Sequence, residues 1–418
     1  MTNIRKIGLW VIATLLFTQC FAGDTTRIFF IGNSFTYVND APALIKGLAD
    51  AAGEGMYYEQ HTPGGVSVGD ISQDTLAHWR NPSIFNTLNM GNWDYVVLQD
   101  NQGRFIMGYG TFPSTSVSKV IEGHIKIQDS MHYYNPCSHM VLFAGWGPKS
   151  GYPPYASTGA GLINNIYANY SFLNDSMHEV ISPIGIAWER AMQLLPGTDL
   201  WGPDSTHPSL EGSYLTAAVI FSTIFRVNPG PLSFTGGLDS TVASNLRNIA
   251  WQTVVDSMSA TRLFALNIPL SDSNGTLIAG GGLYHDYQWY KNDSLIPGAT
   301  NYFTLADSGN CYYITALDSN GCLYRSMPFC SFQTTGIPAE RALFKAVIYP
   351  NPAHDYLHIS IPEDQARLTI KDMAGRTVLE KELKEQNTRI DIANLNRGLY
   401  ILAIYTSAII SREKILIQ

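Results

Sequence analysis

Beyond one short run near its N-terminus, this 418-residue sequence has no stretch long and apolar enough to span a bilayer. It also lacks positive charge: 26 Lys and Arg stand against 34 Asp and Glu, a formal net charge of −8. The balance becomes more negative once Arg5 and Lys6 leave with a leader, which argues against nucleic acid as a partner. There is no Gly-rich phosphate loop. His61, His78, His124, His132, His139 and His178 are scattered, with no metal-ligand pair on one helix face, so neither a metal nor any other cofactor is expected. Cysteine is scarce: Cys20 near the start, Cys137 alone, and Cys311, Cys322 and Cys330 in a cluster. In an oxidising compartment a disulfide within the cluster is expected. Spacing does not say which pair forms, and one of the three thiols is left over or reaches Cys137.

What the chain does have is apolar substance, 45% hydrophobic and 12% aromatic residues, enough to bury real cores. At roughly 150 residues per domain its length suggests two or three domains. Arg5 and Lys6, the run IGLWVIATLLF and Cys20-Phe21-Ala22 before Gly23 read as a signal peptide over 1–22. The run is shorter than the roughly 20 residues a membrane anchor needs. Gln19, where a small residue normally stands, weakens a lipoprotein reading through Cys20.

From 24 to 262 the pattern alternates. The short β-branched runs TRIFFIG, DYVVLQD and HMVLFAG suit strands buried on both faces of a parallel sheet. APALIKGLADAAG, with Asp40 as N-cap and Gly53 as stop, reads as a helix, as do SLEGSYLTAAVIFSTIF and SNLRNIAWQTVVDSM. The expectation is a three-layer α/β domain. From 265 to 335 short alternating strands are punctuated by turn clusters at Asn292-Asp293, Asp307-Ser308-Gly309 and Ser319-Asn320-Gly321, with Trp289 as a core residue. A polar linker, 336–344, leads to a second small all-β domain over 345–418.

Candidate chemistry begins at Gly32-Asn33-Ser34, where an apolar strand ends. A serine there lies where α/β folds place their ligands. The sequence lacks the second glycine of a Gly-x-Ser-x-Gly elbow, which disfavours an ordinary α/β-hydrolase. In WGPDSTHPSLEG, Asp204 precedes His207 by three residues on a loop leading into a helix. A carboxylate so placed can reach Nδ1 of the imidazole and leave Nε2 for a serine. Pro208 keeps His207 out of helical geometry, and Ser209 can cap the helix that follows. The aromatic stretch 143–157 offers Trp146, Tyr152 and Tyr155 as a wall against a sugar face.

Gly-Asn-Ser near the start and Asp-x-x-His near the end of residues 27–226 together resemble the SGNH or GDSL hydrolases. The resemblance implies a flavodoxin-like sheet and a serine esterase with Ser34 as nucleophile, His207 as base and Asp204 as its orienting acid. The oxyanion donors it implies are the N–H groups of Ser34 and Gly65, with Gly69 the alternative to Gly65, and the side chain of Asn101. Asn33 replaces an aspartate common in the family. Gln99 and Asp100 replace residues that are often small, so Gln99 or Gln102 could supply the amide instead.

Residues 265–335 resemble the immunoglobulin-like modules appended to exported bacterial enzymes, read here as a spacer rather than a glycan binder. The final domain resembles the C-terminal sorting domains of the type IX secretion system. It does so through Tyr349-Pro350-Asn351-Pro352-Ala353, Asp372-Met373-Ala374-Gly375-Arg376, Leu395-Asn396-Arg397-Gly398-Leu399-Tyr400 and Lys414-Ile415-Leu416-Ile417. That implies a partner in the secretion machinery and a place outside the cell or on its surface. The expected activity is deacylation, chiefly deacetylation, of a polysaccharide. The alternatives are a lipase, thioesterase or arylesterase of the same mechanism, or a non-catalytic glycan-binding surface protein.

Overall fold

A computed structural model describes residues 25–69, 77–107, 114–258, 260–273, 275–280, 284–330, 347–349, 353–360, 366–372, 377–385, 387–405 and 410–417. The expected signal peptide, the linker at 336–344 and the Ala374-Gly375 turn lie outside these residues. The chain divides into two compact units, parted between 331 and 332.

The principal sheet of the first unit is built from β1 (Thr26–Ile31), β2 (Met56–His61), β3 (Tyr95–Leu98), β4 (His139–Phe143) and β5 (Val180–Ser182). All neighbours are parallel and the order is β2-β1-β3-β4-β5. This is the flavodoxin-like order, in which the winding reverses between β1 and β3 and opens a crevice beyond their carboxyl ends. Alternate side chains enter two cores. Ile28 and Phe30 of β1 pack with α2 (Ala41–Ala52), α7 (Ile184–Leu194), α8 (Leu210–Phe225) and α9 (Ser240–Asp256). Phe29 and Ile31 pack with α3 (Pro82–Met90), α5 (Ser114–Tyr134) and α6 (Gly159–Met177). The domain therefore has three layers.

The helix signals act as the sequence implies. The Asp40 side chain accepts from Ala43 N–H, and Gly53 ends α2 at φ 75°. Ser209 caps α8 by accepting from Gly212 N–H. From Gly212 to Phe225, α8 is buried all round, as befits a helix packed on every side. Strand β2 is harder to read from sequence. Among the described residues it pairs only with β1, at the sheet's edge, and its MYYEQH pattern is half solvated.

Past α9 the first unit continues as antiparallel strands from Leu270 to Cys330, with one sheet of three strands and another of five. Trp289 is fully buried in their shared core and donates its indole N–H to Asn301 O. The cysteines pair as Cys311–Cys330, inside this region, and Cys137–Cys322, which ties it to the α/β domain. Beside the second disulfide, Arg325 meets Glu54 at 2.7 Å and Tyr324 packs on His139. His139 begins β4 and Glu54 precedes β2, so this region is seated at the amino ends of the strands, opposite Ser34.

Among its described residues the second unit holds two antiparallel sheets, of three and four strands. Its core includes Leu357, Ile359, Leu368, Ile370, Leu402, Ile404 and Ile415. Among the described residues no helix is long and apolar enough to cross a membrane.

Candidate active site

β1 ends at Ile31, and after Gly32 and Asn33 a short helix, α1 (Ser34–Tyr37), begins at the serine. Gly32 is required by crowding. A Cβ there would lie 2.5 Å from Thr36 Oγ1 and 2.7 Å from Gln99 Oε1. Asn33 is buried and uses both ends of its amide. Its Oδ1 accepts from Phe35 N–H at 3.1 Å, capping α1, and its Nδ2 donates to Val66 O at 3.0 Å. An ionised aspartate could cap the helix but could not donate to Val66 O. That difference gives Asn33 a physical reason.

His207 Nε2 lies 2.7 Å from Ser34 Oγ across 173 residues of sequence, and His207 Nδ1 lies 2.5 Å from Asp204 Oδ2. The loop that carries the pair organises itself. Asp204 Oδ1 accepts from Thr206 N–H at 3.0 Å and from His207 N–H at 2.9 Å, and Gly202 N–H donates to His207 O at 2.8 Å. The hydrogen bond from His207, then the two backbone N–H groups, lower the Asp204 pKa to about 2. Its carboxylate is thus charged throughout the physiological range, able to hold Nδ1 protonated and leave the Nε2 lone pair toward Ser34. The Phe35 ring sits 5.7 Å from the imidazole, and Asn39 Nδ2 donates to Pro208 O at 3.1 Å, joining the serine segment to the histidine loop. An open groove of about 690 Å³ borders the pair, lined by Val38, Asn39, Trp201, Asp204, His207 and Leu210 among others.

The expected oxyanion donors have free hydrogens. Ser34 N–H and Gly65 N–H have no hydrogen-bond partner among the described residues. Gly65 is exposed at φ 73°, with open space where a Cβ would stand, and its loop is fastened to the serine turn through Val66 O. Gly69, the alternative, is buried against α5, where a Cβ would lie 2.4 Å from Lys119 O. Its lack of a side chain serves packing. Asn101 Oδ1 accepts from Gly103 N–H at 3.0 Å at the start of α4 (Gln102–Met107), which leaves its NH2 group to donate. The two alternative amides are committed elsewhere. Gln99 donates to Asp100 O, and Gln102 donates to Asp100 O and Tyr170 Oη.

Of the three aromatic candidates, Trp146 needs correction. It has no exposed face for a sugar, since it is fully buried and stacked on Trp188 at 3.9 Å with Phe35 at 4.9 Å. Its indole N–H donates to Thr206 O at 3.1 Å, so it braces the histidine loop from beneath. Tyr152 is exposed, and its ring lies 6.1 Å from that of half-buried Tyr155. Their loop is bound to the same histidine loop by Lys149 N–H to Ser205 O, 2.8 Å.

Comparison with known proteins identifies the end of the chain. Residues 347–418 match the family described as the secretion system C-terminal sorting domain. This segment is a sorting domain of that family. The sorting domain indicates export through type IX secretion, to the cell surface or beyond. Over 187 residues the chain is 26% identical to the thiol protease/hemagglutinin PrtT of Porphyromonas gingivalis. That alignment takes in 43% of this chain and 21% of PrtT, so the chain spans about a fifth of this curated relative. Among solved structures, a DUF4886 family protein from Bacteroides uniformis aligns with a TM-score of 0.46 at 18% identity, covering 56% of this chain and 95% of that one. The acetylxylan esterase Axe2 of Geobacillus stearothermophilus aligns with a TM-score of 0.33 at 16% identity, covering 48% and 94%.

Proposed function

We propose that the first unit is an SGNH-type serine esterase acting outside the cell, and that it removes acyl groups, chiefly acetyl, from a polysaccharide. The observation that carries this reading is the hydrogen-bonded chain from Ser34 Oγ through both nitrogens of His207 to Asp204. His207 Nε2 takes the Ser34 proton as Oγ attacks the ester carbonyl, and Asp204 stabilises the imidazolium that forms. The tetrahedral oxyanion accepts hydrogen bonds from Ser34 N–H, Gly65 N–H and the Asn101 amide. As the C–O bond breaks, His207 returns its proton to the leaving alkoxide. Water then enters, loses a proton to His207 and attacks the acyl-enzyme, releasing the acid and restoring Ser34.

The polymer substrate rests on more general grounds. The sorting domain suits a target outside the cell, an open groove borders His207, and exposed Tyr152 can face a sugar ring. The antiparallel region at the opposite end of the sheet acts as a spacer. The full chain should hydrolyse p-nitrophenyl acetate and release acetate from acetylated xylan or pectin. Ser34→Ala should lower kcat by roughly 10⁴-fold or more. An inert wild type that binds glycan as tightly as the variant would sink the esterase reading.

A further inference from the structure

The donors proposed for the oxyanion come from three separate segments: the serine turn after β1, the loop after β2 and the loop after β3. Two consecutive side chains, Gln99 and Asp100, join all three. Both are fully buried. Gln99 Oε1 accepts from Asn33 N–H at 2.7 Å and from Thr36 Oγ1–H at 3.0 Å, which fixes both ends of the turn bearing Ser34. Asp100 Oδ1 accepts from Val68 N–H at 2.7 Å and from Asn101 N–H at 2.7 Å. One carboxylate oxygen thus sets the distance between the Gly65 loop and the residue carrying the Asn101 amide. The Asn33 amide closes the triangle through Val66 O.

We propose that Gln99 and Asp100 are positioning residues for acyl transfer: their side-chain oxygens hold the Ser34, Gly65 and Asn101 donors at one mutual spacing, so that all three converge on a single oxyanion. This rests on the esterase reading above. Neither side chain touches substrate. Each acts as a hydrogen-bond acceptor for backbone N–H groups, and for Asp100 the acceptor oxygen matters rather than the charge. His124 supports that distinction. Its Nδ1–H is donated to Val120 O at 2.8 Å, its Nε2 stands 3.8 Å from Asp100 Oδ2, and burial pushes its pKa down. A neutral imidazole with its Nε2 lone pair toward residue 100 can accept from an asparagine NH2, a hydrogen bond that a carboxylate oxygen does not offer it. Asp100→Asn should therefore preserve the spacing, and Asp100→Ala should abolish it by leaving the Val68 and Asn101 N–H groups without their acceptor.

The test compares the full-length wild type, Ser34→Ala, Asp100→Ala, Asp100→Asn and Gln99→Met. The readouts are kcat and KM on p-nitrophenyl acetate and the affinity for phenylboronic acid. Phenylboronic acid forms a B–O bond with Ser34 Oγ as the proton passes to His207, and its tetrahedral boronate occupies the oxyanion site. Asp100→Ala should lose about 10²-fold in kcat, the scale of a lost oxyanion donor, with KM within about twofold and boronate affinity reduced in proportion. Asp100→Asn should stay within about threefold of wild type on both readouts. Wild-type kcat in Asp100→Ala, unchanged boronate affinity, or failure of the asparagine to rescue would overturn the proposal. If Asp100→Ala does not fold, Gln99→Met decides: a parallel loss of kcat and boronate affinity supports it, and wild-type values overturn it. An ester-inert wild type that forms no Ser34-dependent boronate adduct would fell the esterase reading first, and the positioning role with it.

Discussion

Ser34 and His207 meet at 2.7 Å, yet the backbone that carries each is held in a different way. The serine turn is anchored in the protein interior, with buried Asn33 and Thr36 bonded to buried Gln99 and the neighbouring loop tied in through Val66. The histidine loop lies at the surface, where Asp204 is half exposed, and takes its shape from its own short-range hydrogen bonds and from Trp146 beneath it. On the proposed reading the nucleophile is fixed by the core and the base by a local turn, and the two should fail differently. Damage to the first should cost both rate and stability, and damage to the second rate alone.

The largest effect that sharpens this contrast is expected from Asp204→Asn. It should lower kcat by roughly 10⁴-fold, because the imidazole loses its orienting charge. Its melting temperature should stay within a degree or two of wild type. A melting temperature lowered as far as in variants of the serine turn would break the comparison. On the donor side, Asn101→Ala and Asn101→Asp should each lose 10²- to 10³-fold in rate on the order of one oxyanion donor. Only the alanine also removes the acceptor for Gly103 N–H, so calorimetry should find it about 1 kcal/mol less stable than the aspartate.

Thr36→Val removes one hydrogen bond to Gln99 and should cost about 1 kcal/mol, a few degrees of melting temperature, with a rate loss of only a few fold. The smallest effect concerns pH. The folded pKa of Asp204, about 2, lies below its value of about 3.9 in an unfolded chain. Its contribution to stability is therefore fully present above about pH 4 and is lost as pH falls through about 2. The difference in melting temperature between wild type and Asp204→Asn should be flat from pH 8 to 5 and shrink below pH 4. A difference that instead changed between pH 7 and 6 would place the linkage on another group.

The same division explains what could be read from sequence. Asp204 and His207 are three residues apart on one loop, so their pairing is written locally, and Ser34 announces itself by following an apolar strand. The order β2-β1-β3 is what brings the segments around residues 33, 66 and 99 together, and no local pattern encodes it. Gln99 and Asp100 are consequently legible in the sequence only as unusual residues, and the sequence leaves the amide of Gln99 open to a donor's part, whereas in the fold that amide is fully buried and donates to Asp100 O. Trp146 misled for a related reason. An aromatic in a Gly-rich stretch reads as a surface residue until Trp188, on α7, is found covering it. Pairing of the cysteines likewise required the fold, since Cys137 and Cys322 are 185 residues apart.

That long-range disulfide has a consequence in time. Its two sulfurs come together only after the α/β layers and the antiparallel region have both taken shape, and the bond persists only where thiols are oxidised. A chain under reducing conditions would lack it, and the antiparallel region would then be held on the α/β domain by noncovalent contacts alone, Arg325 with Glu54 among them. Closure of the bond would then mark a molecule in which both regions have folded.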